Sequence, residues 1–255
     1  WKPSEDTLQL FKQIQVEWQL SGKDEQHFVD LSFSHGAGDA YAGIFLVNQC
    51  APEANPQLPP QVYKGSIKGF AFEHSTYVAS QQPENDSRTY TQKAISKILS
   101  LCGYAGNERV ALAIPPVFPG ELTKDNFMGN SMATVTYSAE DLRSLCFENK
   151  EIWRKEARDR AARTVKIAAR GRQLDSDSIG ELCISSVGDL SRLSWVTTDF
   201  HPTHYLMVPT PISKKSANLV LWSWKGSQAL VVCASPSHRI WSLQKRLLEI
   251  LSGAH

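Results

Sequence analysis

The sequence predicts an α/β sandwich built on a mixed sheet. Strand and helix patterns follow one another along the whole 255-residue chain. The strands come partly as hairpins, whereas a doubly wound parallel sheet would alternate strands and helices more strictly. The clearest hairpin spans residues 218–234, where two apolar strands flank a Gly226-Ser227 turn.

The first 62 residues contain a hairpin, a helix and a linker. Residues 13–20 alternate apolar and polar side chains, which predicts a half-buried strand. After a polar turn, residues 28–34 form a second strand that pairs with the first. The following segment, HGAGDAYAGIFLVNQC, has enough apolar residues in its second half for a buried helix. Residues 51–62 hold four prolines and therefore predict a surface crossing or linker.

The remainder of the chain mixes both element types. We expect a helix at 87–101, a buried strand at 108–114 and another strand at 131–137. Ser138 to Asp141 resemble a capping box that starts a long charged helix, running to about residue 170. A last helix starts at Ser235-Pro236 and is ended by Gly253.

Composition excludes several classes of protein. Lys and Arg number 27 and Asp and Glu number 26, so the net charge of +1 favours neither nucleic acid nor an anionic membrane as partner. No apolar run approaches the roughly 20 residues of a spanning helix, and no signal peptide opens the sequence. The five cysteines are widely spaced without a CxxC pair. We therefore expect a reduced, cytoplasmic protein without structural zinc or disulfides.

The segment His35-Gly-Ala-Gly-Asp39 is the strongest chemical signal. It follows the predicted strand 28–34, so a rigid element holds it while its glycines let a ligand approach the backbone. Histidine is well suited to proton transfer near neutral pH. The spacing alone is equally compatible with a surface histidine held by local hydrogen bonds. A dinucleotide fingerprint would need glycine at Tyr41, and no Gly-x-Ser-x-Gly segment is present.

Other candidates favour structural interpretations. Asp199, His201 and His204 have metal-ligand chemistry, but Pro202 interrupts the helix that would align the imidazoles. The basic helix at 149–172 interleaves acidic residues, which is typical of a solvated face. His74 lies in an apolar stretch, and Trp222 and Trp224 alternate on one hairpin strand. These three aromatic rings are predicted to be structural.

Four segments in order resemble the BAHD-type acyltransferases and their superfamily, which includes condensation domains of peptide synthetases. FSHGAGDAYAGIFL at 33–46 is similar to the family's HxxxDG segment, and the helix at 87–101 followed by a strand matches the next elements. NFMGN at 126–130 is similar to YFGN, and SWVTTDF at 194–200 to the stretch ending in DFGWG. Two departures are Ala40 in place of the motif glycine and His201-Pro-Thr in place of the motif's last residues.

The resemblance implies a chloramphenicol-acetyltransferase-like sandwich of two lobes with the active-site channel between them. Residues 1–50 would be the end of the first lobe, 51–65 a linker and 66–255 the second lobe. Most of the first lobe is then absent from this chain, and a second chain is one source for it.

The resemblance also implies an acyltransferase in which His35 is the general base and Asp39 keeps the motif in shape. Acyl-CoA is the co-substrate, a small-molecule alcohol or amine is the acceptor, and no metal or permanently bound cofactor is needed. Asn130, Lys214 and Lys215 are candidate contacts to CoA, although adjacent loop lysines are more commonly only solvated. The expected setting is secondary metabolism or detoxification. The alternatives are a non-catalytic binding module and a condensation-type domain that takes its acyl group from a carrier protein.

Overall fold

The structure, a computed structural model, describes most of the regular elements of the chain. Described are residues 17–23, 26–32, 62–78, 89–114, 133–147, 180–190, 213–224 and 227–253, with isolated positions between them. The chain divides into two compact units. The first comprises Trp1–Pro59, Gly120–Ser131 and Leu193–Tyr205, and the second comprises Pro60–Pro119, Met132–Arg192 and Leu206–His255.

The first unit contains the predicted hairpin. Strands β1 (Glu17–Lys23) and β2 (Gln26–Ser32) pair antiparallel, with Lys23 opposite Gln26. The hairpin is therefore confirmed, but its strands lie at 17–23 and 26–32 rather than at 13–20 and 28–34. The polar SGK residues belong to β1, because backbone groups make the ladder and do not require apolar side chains.

The second unit is built on a seven-stranded mixed sheet with the strand order β3-β4-β9-β8-β7-β5-β6. Neighbours β5 and β7, and β7 and β8, run parallel, while the other neighbours run antiparallel. The prediction of a mixed sheet is confirmed. The strand bounds are β3 Val62–Ile67, β4 Phe70–Tyr77, β5 Arg109–Ile114, β6 Ala133–Ser138, β7 Leu182–Asp189, β8 Ala217–Trp224 and β9 Ser227–Ala234.

Two hairpins belong to this sheet, β3–β4 at one edge and β8–β9 in its interior. In β8–β9, Trp224 pairs with Ser227, so Ser227 belongs to β9 and not to the predicted Gly226-Ser227 turn. The hairpin β3–β4 is not among the sequence predictions, which place a linker across its start. Its two connecting residues, Lys68 and Gly69, have φ angles of 49° and 82°. Two successive positive φ angles suit the right-handed twist of paired strands.

Local capping explains where the helices begin and end. Helix α1 (Tyr90–Leu101) starts with a capping box, in which Thr89 Oγ1 accepts from the Gln92 N–H and the Thr89 N–H donates to Gln92 Oε1 at 2.7 Å. Helix α2 (Ala139–Phe147) starts with Ser138 Oγ accepting from the Asp141 N–H at 3.0 Å. Helix α3 (Ile240–Ser252) starts later than predicted but ends at Gly253, with φ of 73°, as expected.

The prediction of one helix from 138 to about 170 is wrong. Helix α2 ends at Phe147, and Asn149 is not helical. The Asn149 Oδ1 atom accepts from the N–H groups of Glu151 and Ile152 at 3.1 and 2.9 Å, so it caps a new helical segment. The described helical positions of that segment are exposed and carry both charges, in keeping with a solvated face: Glu151, Ile152, Lys155, Arg158, Asp159 and Ala162.

Helices α1, α2 and α3 contribute to one core on a single face of the sheet. Alternate residues of the strands point into it, and buried positions of α1, α2 and α3 cover them. Full burial of a Leu or Ile side chain contributes roughly 1.5–3 kcal/mol, so this layer dominates the stability of the unit. Among the described residues, the largest fully buried side chains of this core are Ile95, Ile98, Leu99, Leu112, Leu142, Ile184, Leu219 and Leu221.

Candidate functional site

The motif residues fall within the first unit but outside the described residues. This applies to His35, Asp39 and Asn130, and to the segment 194–204 with Asp199, His201 and His204. The sequence ranges Trp1–Pro59, Gly120–Ser131 and Leu193–Tyr205 together contain the three motif segments. The roles of these residues therefore stay predictions.

Lys214 and Lys215, in contrast, lie on a well-defined turn at the amino ends of β7 and β8. The Ser216 N–H donates to the Ser213 carbonyl at 3.1 Å, and the two serine hydroxyls are 2.9 Å apart. The Lys215 N–H donates to Ser213 Oγ at 3.3 Å. Both lysines are exposed. The turn thus presents two adjacent ammonium groups to solvent from a braced backbone.

His238, just before α3, contacts this turn. The Ile240 N–H donates to His238 Nδ1 at 3.1 Å, so Nδ1 is an acceptor and the ring proton lies on Nε2. Nε2 is 3.2 Å from the Lys215 carbonyl oxygen and donates to it. Sequence reasoning missed this histidine. The Ser-Pro-Ser-His run before a helix is the signal that could have identified it as a cap.

An ion-pair cluster lies at the same end of the sheet. The Arg239 guanidinium donates to the Tyr104 hydroxyl at 2.9 Å, lies 3.1 Å from the Glu181 carboxylate and covers the Tyr104 ring at 5.3 Å. Burial raises the pKa of Tyr104, although Arg239 acts in the opposite direction. Burial likewise raises the pKa of the Cys102 thiol against the effect of Arg239. A protonated thiol is a poor nucleophile, which argues against a catalytic role for Cys102. The cluster has a structural role, because its contacts connect the segments that follow α1 and precede β7 and α3.

Strand β7 ends in Asp189, and several side-chain hydroxyl groups of β4, β7 and α1 are hydrogen-bonded in pairs. Ligands bind at the carboxyl ends of the strands in many open α/β sheets. Here Thr91 Oγ1 of α1 is 2.9 Å from Ser186 Oγ, and the β7–β8 register shifts between Ser186 and Gly188. The Tyr77 and Tyr90 hydroxyls are hydrogen-bonded to one another, and burial raises the pKa of Tyr77 well above its ordinary value. These groups can donate and accept hydrogen bonds, but they supply no ionised nucleophile.

The opposite face of the sheet carries a stacked aromatic pair. The His74 and Trp222 rings have centroids 5.9 Å apart, and His74 is only 6% exposed. This placement agrees with the structural interpretation of both residues. The side chain of Trp224 lies outside the described residues.

A groove of about 280 Å³ separates the last turns of α1 and α3. Lys97 Nζ donates to the Ile250 carbonyl at 2.8 Å, and Arg246 lines the same groove. The carboxyl end of a helix carries partial negative charge, which the Lys97 ammonium group offsets at the end of α3.

Metal and thiol chemistry find no site in the described part of the chain. Within it, no three His, Cys, Asp or Glu side chains are grouped so that they could hold a metal ion. Cys102, Cys183 and Cys233 are free thiols there, and burial raises the pKa of Cys183 and of Cys233 to about 11. Among the described helices, none is long and apolar enough to cross a membrane.

The sequence matches no known family profile and no curated protein. The structure is similar to solved structures at low sequence identity. The PapA2 acyl transferase matches with a TM-score of 0.50 and 10% identity, over 92% of this chain and 66% of that one. The EpoB NRPS cyclization-docking bidomain from Sorangium cellulosum matches with a TM-score of 0.50 and 12% identity, over 97% and 65%. The epimerization domain of tyrocidine synthetase B gives 0.45 and 11%, over 99% and 78%.

At such identities these likenesses establish the fold alone. The chain has a chloramphenicol-acetyltransferase-like mixed α/β sandwich, as the sequence predicts. It spans about two thirds of the length of the PapA2 and EpoB chains.

Proposed function

We propose that this chain is part of an acyltransferase of the BAHD type, which moves an acyl group from acyl-CoA to a hydroxyl or amine of a small molecule. Two observations together carry the proposal. The chain shares the fold of the PapA2 acyl transferase over 92% of its length, and its sequence carries an HxxxD segment at residues 35–39. The proposed setting remains cytoplasmic secondary metabolism or detoxification.

In the proposed reaction, His35 Nε2 accepts the proton of the acceptor hydroxyl or amine. The acceptor atom attacks the thioester carbonyl carbon and forms a tetrahedral oxyanion. The oxyanion collapses, the C–S bond breaks, and the CoA sulfur leaves with the proton that His35 held. A positioned base accelerates such a step by about 10²–10⁴-fold. Asp39 holds the motif loop in shape and does not touch the substrate.

The Lys214–Lys215 turn is the proposed contact to the phosphates of CoA. Lysine binds phosphate as a point charge, and two exposed ammonium groups on adjacent residues can follow a diphosphate. The braced backbone of the turn supports this role because less conformational freedom is lost on binding. Asn130 is proposed as a further contact to CoA.

A second candidate function is a condensation-type reaction with an acyl group on a carrier protein. The likeness to the EpoB NRPS cyclization-docking bidomain, over 97% of this chain, favours it. The third candidate is a non-catalytic binding module, favoured by the departure from DFGWG after Asp199. For the acyl-CoA-dependent enzyme, a separate chain that completes the first lobe is a proposed partner.

The test is thiol release from acetyl-CoA and longer acyl-CoAs in the presence of a panel of alcohols and amines. The His35→Ala variant is compared with His255→Ala as matched control. Release that depends on an acceptor and falls by about 10²–10⁴-fold only in His35→Ala supports the proposal. Equal turnover in His35→Ala and wild type refutes it. Turnover only with a pantetheine-loaded carrier protein supports the condensation-type reaction, and no turnover with either donor supports the binding module.

A further inference from the structure

The turn at 213–216 and the start of α3 are brought together by the register of the β8–β9 hairpin. Ala217 lies opposite Ala234, so the segments that precede β8 and follow β9 emerge side by side. His238 bridges them through its two ring nitrogens.

The backbone of Lys215 is held from both sides. Its N–H donates to Ser213 Oγ at 3.3 Å, and its carbonyl oxygen accepts from His238 Nε2 at 3.2 Å. A lysine whose main chain is fixed loses less conformational freedom when its ammonium group binds a ligand. His238 is therefore placed to act on a ligand of the turn without touching it.

Only one form of the His238 ring makes both contacts. Nδ1 must be unprotonated to accept from the Ile240 N–H, and Nε2 must carry the proton that goes to the Lys215 carbonyl. Accepting from the Ile240 N–H at the start of α3 would require the Nδ1 contact but not the Nε2 contact. The two roles can thus be separated by substitutions. One substitution keeps only the acceptor for the Ile240 N–H, and another keeps the donor to the Lys215 carbonyl.

We infer that His238 is a positioning residue, which through its Nε2–H tautomer orders the Lys214–Lys215 turn for the phosphates of CoA. The inference rests on the proposed function, since that function makes CoA the ligand of the turn. The turn and its brace belong to the described residues, whereas the catalytic segment at His35 does not.

The experiment uses the 255-residue chain and three variants at one position. His238→Gln places an amide N–H near the position of Nε2, so it keeps the donor to Lys215. His238→Asn keeps an acceptor for the Ile240 N–H, as in an Asx cap, but is too short to reach Lys215. His238→Ala removes both functions.

CoA binding is measured by calorimetry in the His35→Ala background, so that no turnover occurs. We expect His238→Gln to bind CoA like the parent, and His238→Asn and His238→Ala to bind about two- to tenfold more weakly, the range of one hydrogen bond. In the active protein the same order should appear in KM, with kcat unchanged. Amide exchange at Ser216 should quicken in the Asn and Ala variants only.

Nitrogen NMR of the wild-type ring should show the proton on Nε2. A proton on Nδ1, or equal CoA affinity in all four proteins, overturns the inference. Weaker CoA binding by His238→Gln together with normal binding by His238→Asn also overturns it. That order would show that only the contact to the Ile240 N–H matters. The expected order of affinities without any turnover supports the inference and refutes the proposed function. Turnover combined with the same CoA affinity in all His238 variants supports the proposed function and refutes the inference.

Discussion

Replacing Gly180 by alanine tests how tightly β5 and β7 are joined. Gly180 has φ of 79°, and a Cβ atom there would overlap the Arg109 carbonyl oxygen and lie 2.9 Å from its carbon. The left-handed backbone costs alanine about 1–2 kcal/mol. The overlap adds about 1–3 kcal/mol, because both partners are backbone and one strand must move. We therefore expect the free energy of unfolding to fall by about 2–5 kcal/mol.

Gly103→Ala is the matched control. Gly103 has φ of 71°, but nothing lies within 4 Å of the position its Cβ would take. The free energy of unfolding of this variant should fall by only about 1–2 kcal/mol, which is the cost of the left-handed backbone for alanine. Urea unfolding followed by far-UV circular dichroism measures both losses, provided that the m-values agree. The reasoning fails if Gly180→Ala is no less stable than Gly103→Ala.

Two further predictions concern the start of α1 and the buried thiols. Thr89→Ala should lower the free energy of unfolding by about 1 kcal/mol because the helix loses its cap. Thr89→Ser keeps a capping hydroxyl and should be as stable as the wild type. An equal loss in both variants would contradict the capping argument. Burial raises the pKa of Cys183 and of Cys233 from 9.0 to about 11, so the folded state keeps protons that the unfolded state releases. Stability from these thiols is present below pH 9 and lost as pH rises towards 11. Urea midpoints measured between about pH 8 and 11 should fall less steeply with pH in Cys233→Ala than in the wild type. The same dependence on pH in both proteins would argue against a raised pKa of Cys233.

The fold was largely predictable because its strongest signals are local. The hairpin β8–β9, strand β5 and the Gly253 helix end depend on alternation, an apolar run and a turn residue, all visible within a short window. Strand β7 was missed for a physical reason. It is a central parallel strand with buried positions on both faces, and its Ser185-Ser186-Val187-Gly188 run lacks the alternation that marks a half-buried strand.

The candidate sites divide in the same way. The HxxxD segment at His35 is legible as a motif, because its residues are neighbours in sequence. The bridge from His238 to Lys215 is not, because it exists only once β8 and β9 are paired in the observed register. The helix break at Asn149 lies between these cases. Asparagine is a known cap, but its role here is seen only in the structure, where its side chain accepts hydrogen bonds from the N–H groups of Glu151 and Ile152.

The strand order also dictates when the sheet can be completed during synthesis. Strand β4 pairs with β9, so Ala71 must wait for Ala234 to leave the ribosome, and β5 waits for β7 in the same manner. Before β7 has emerged, the strands of this sheet that can already pair are β3 with β4 and β5 with β6, and each pair has an edge that is unpaired in the nascent chain. Assembly of the unit is thus governed by contacts between distant parts of the sequence, which slows folding and prolongs the exposure of those edges. A nascent chain of this protein is therefore expected to need chaperone protection until β9 has emerged, a demand that a sheet of sequential hairpins would not make.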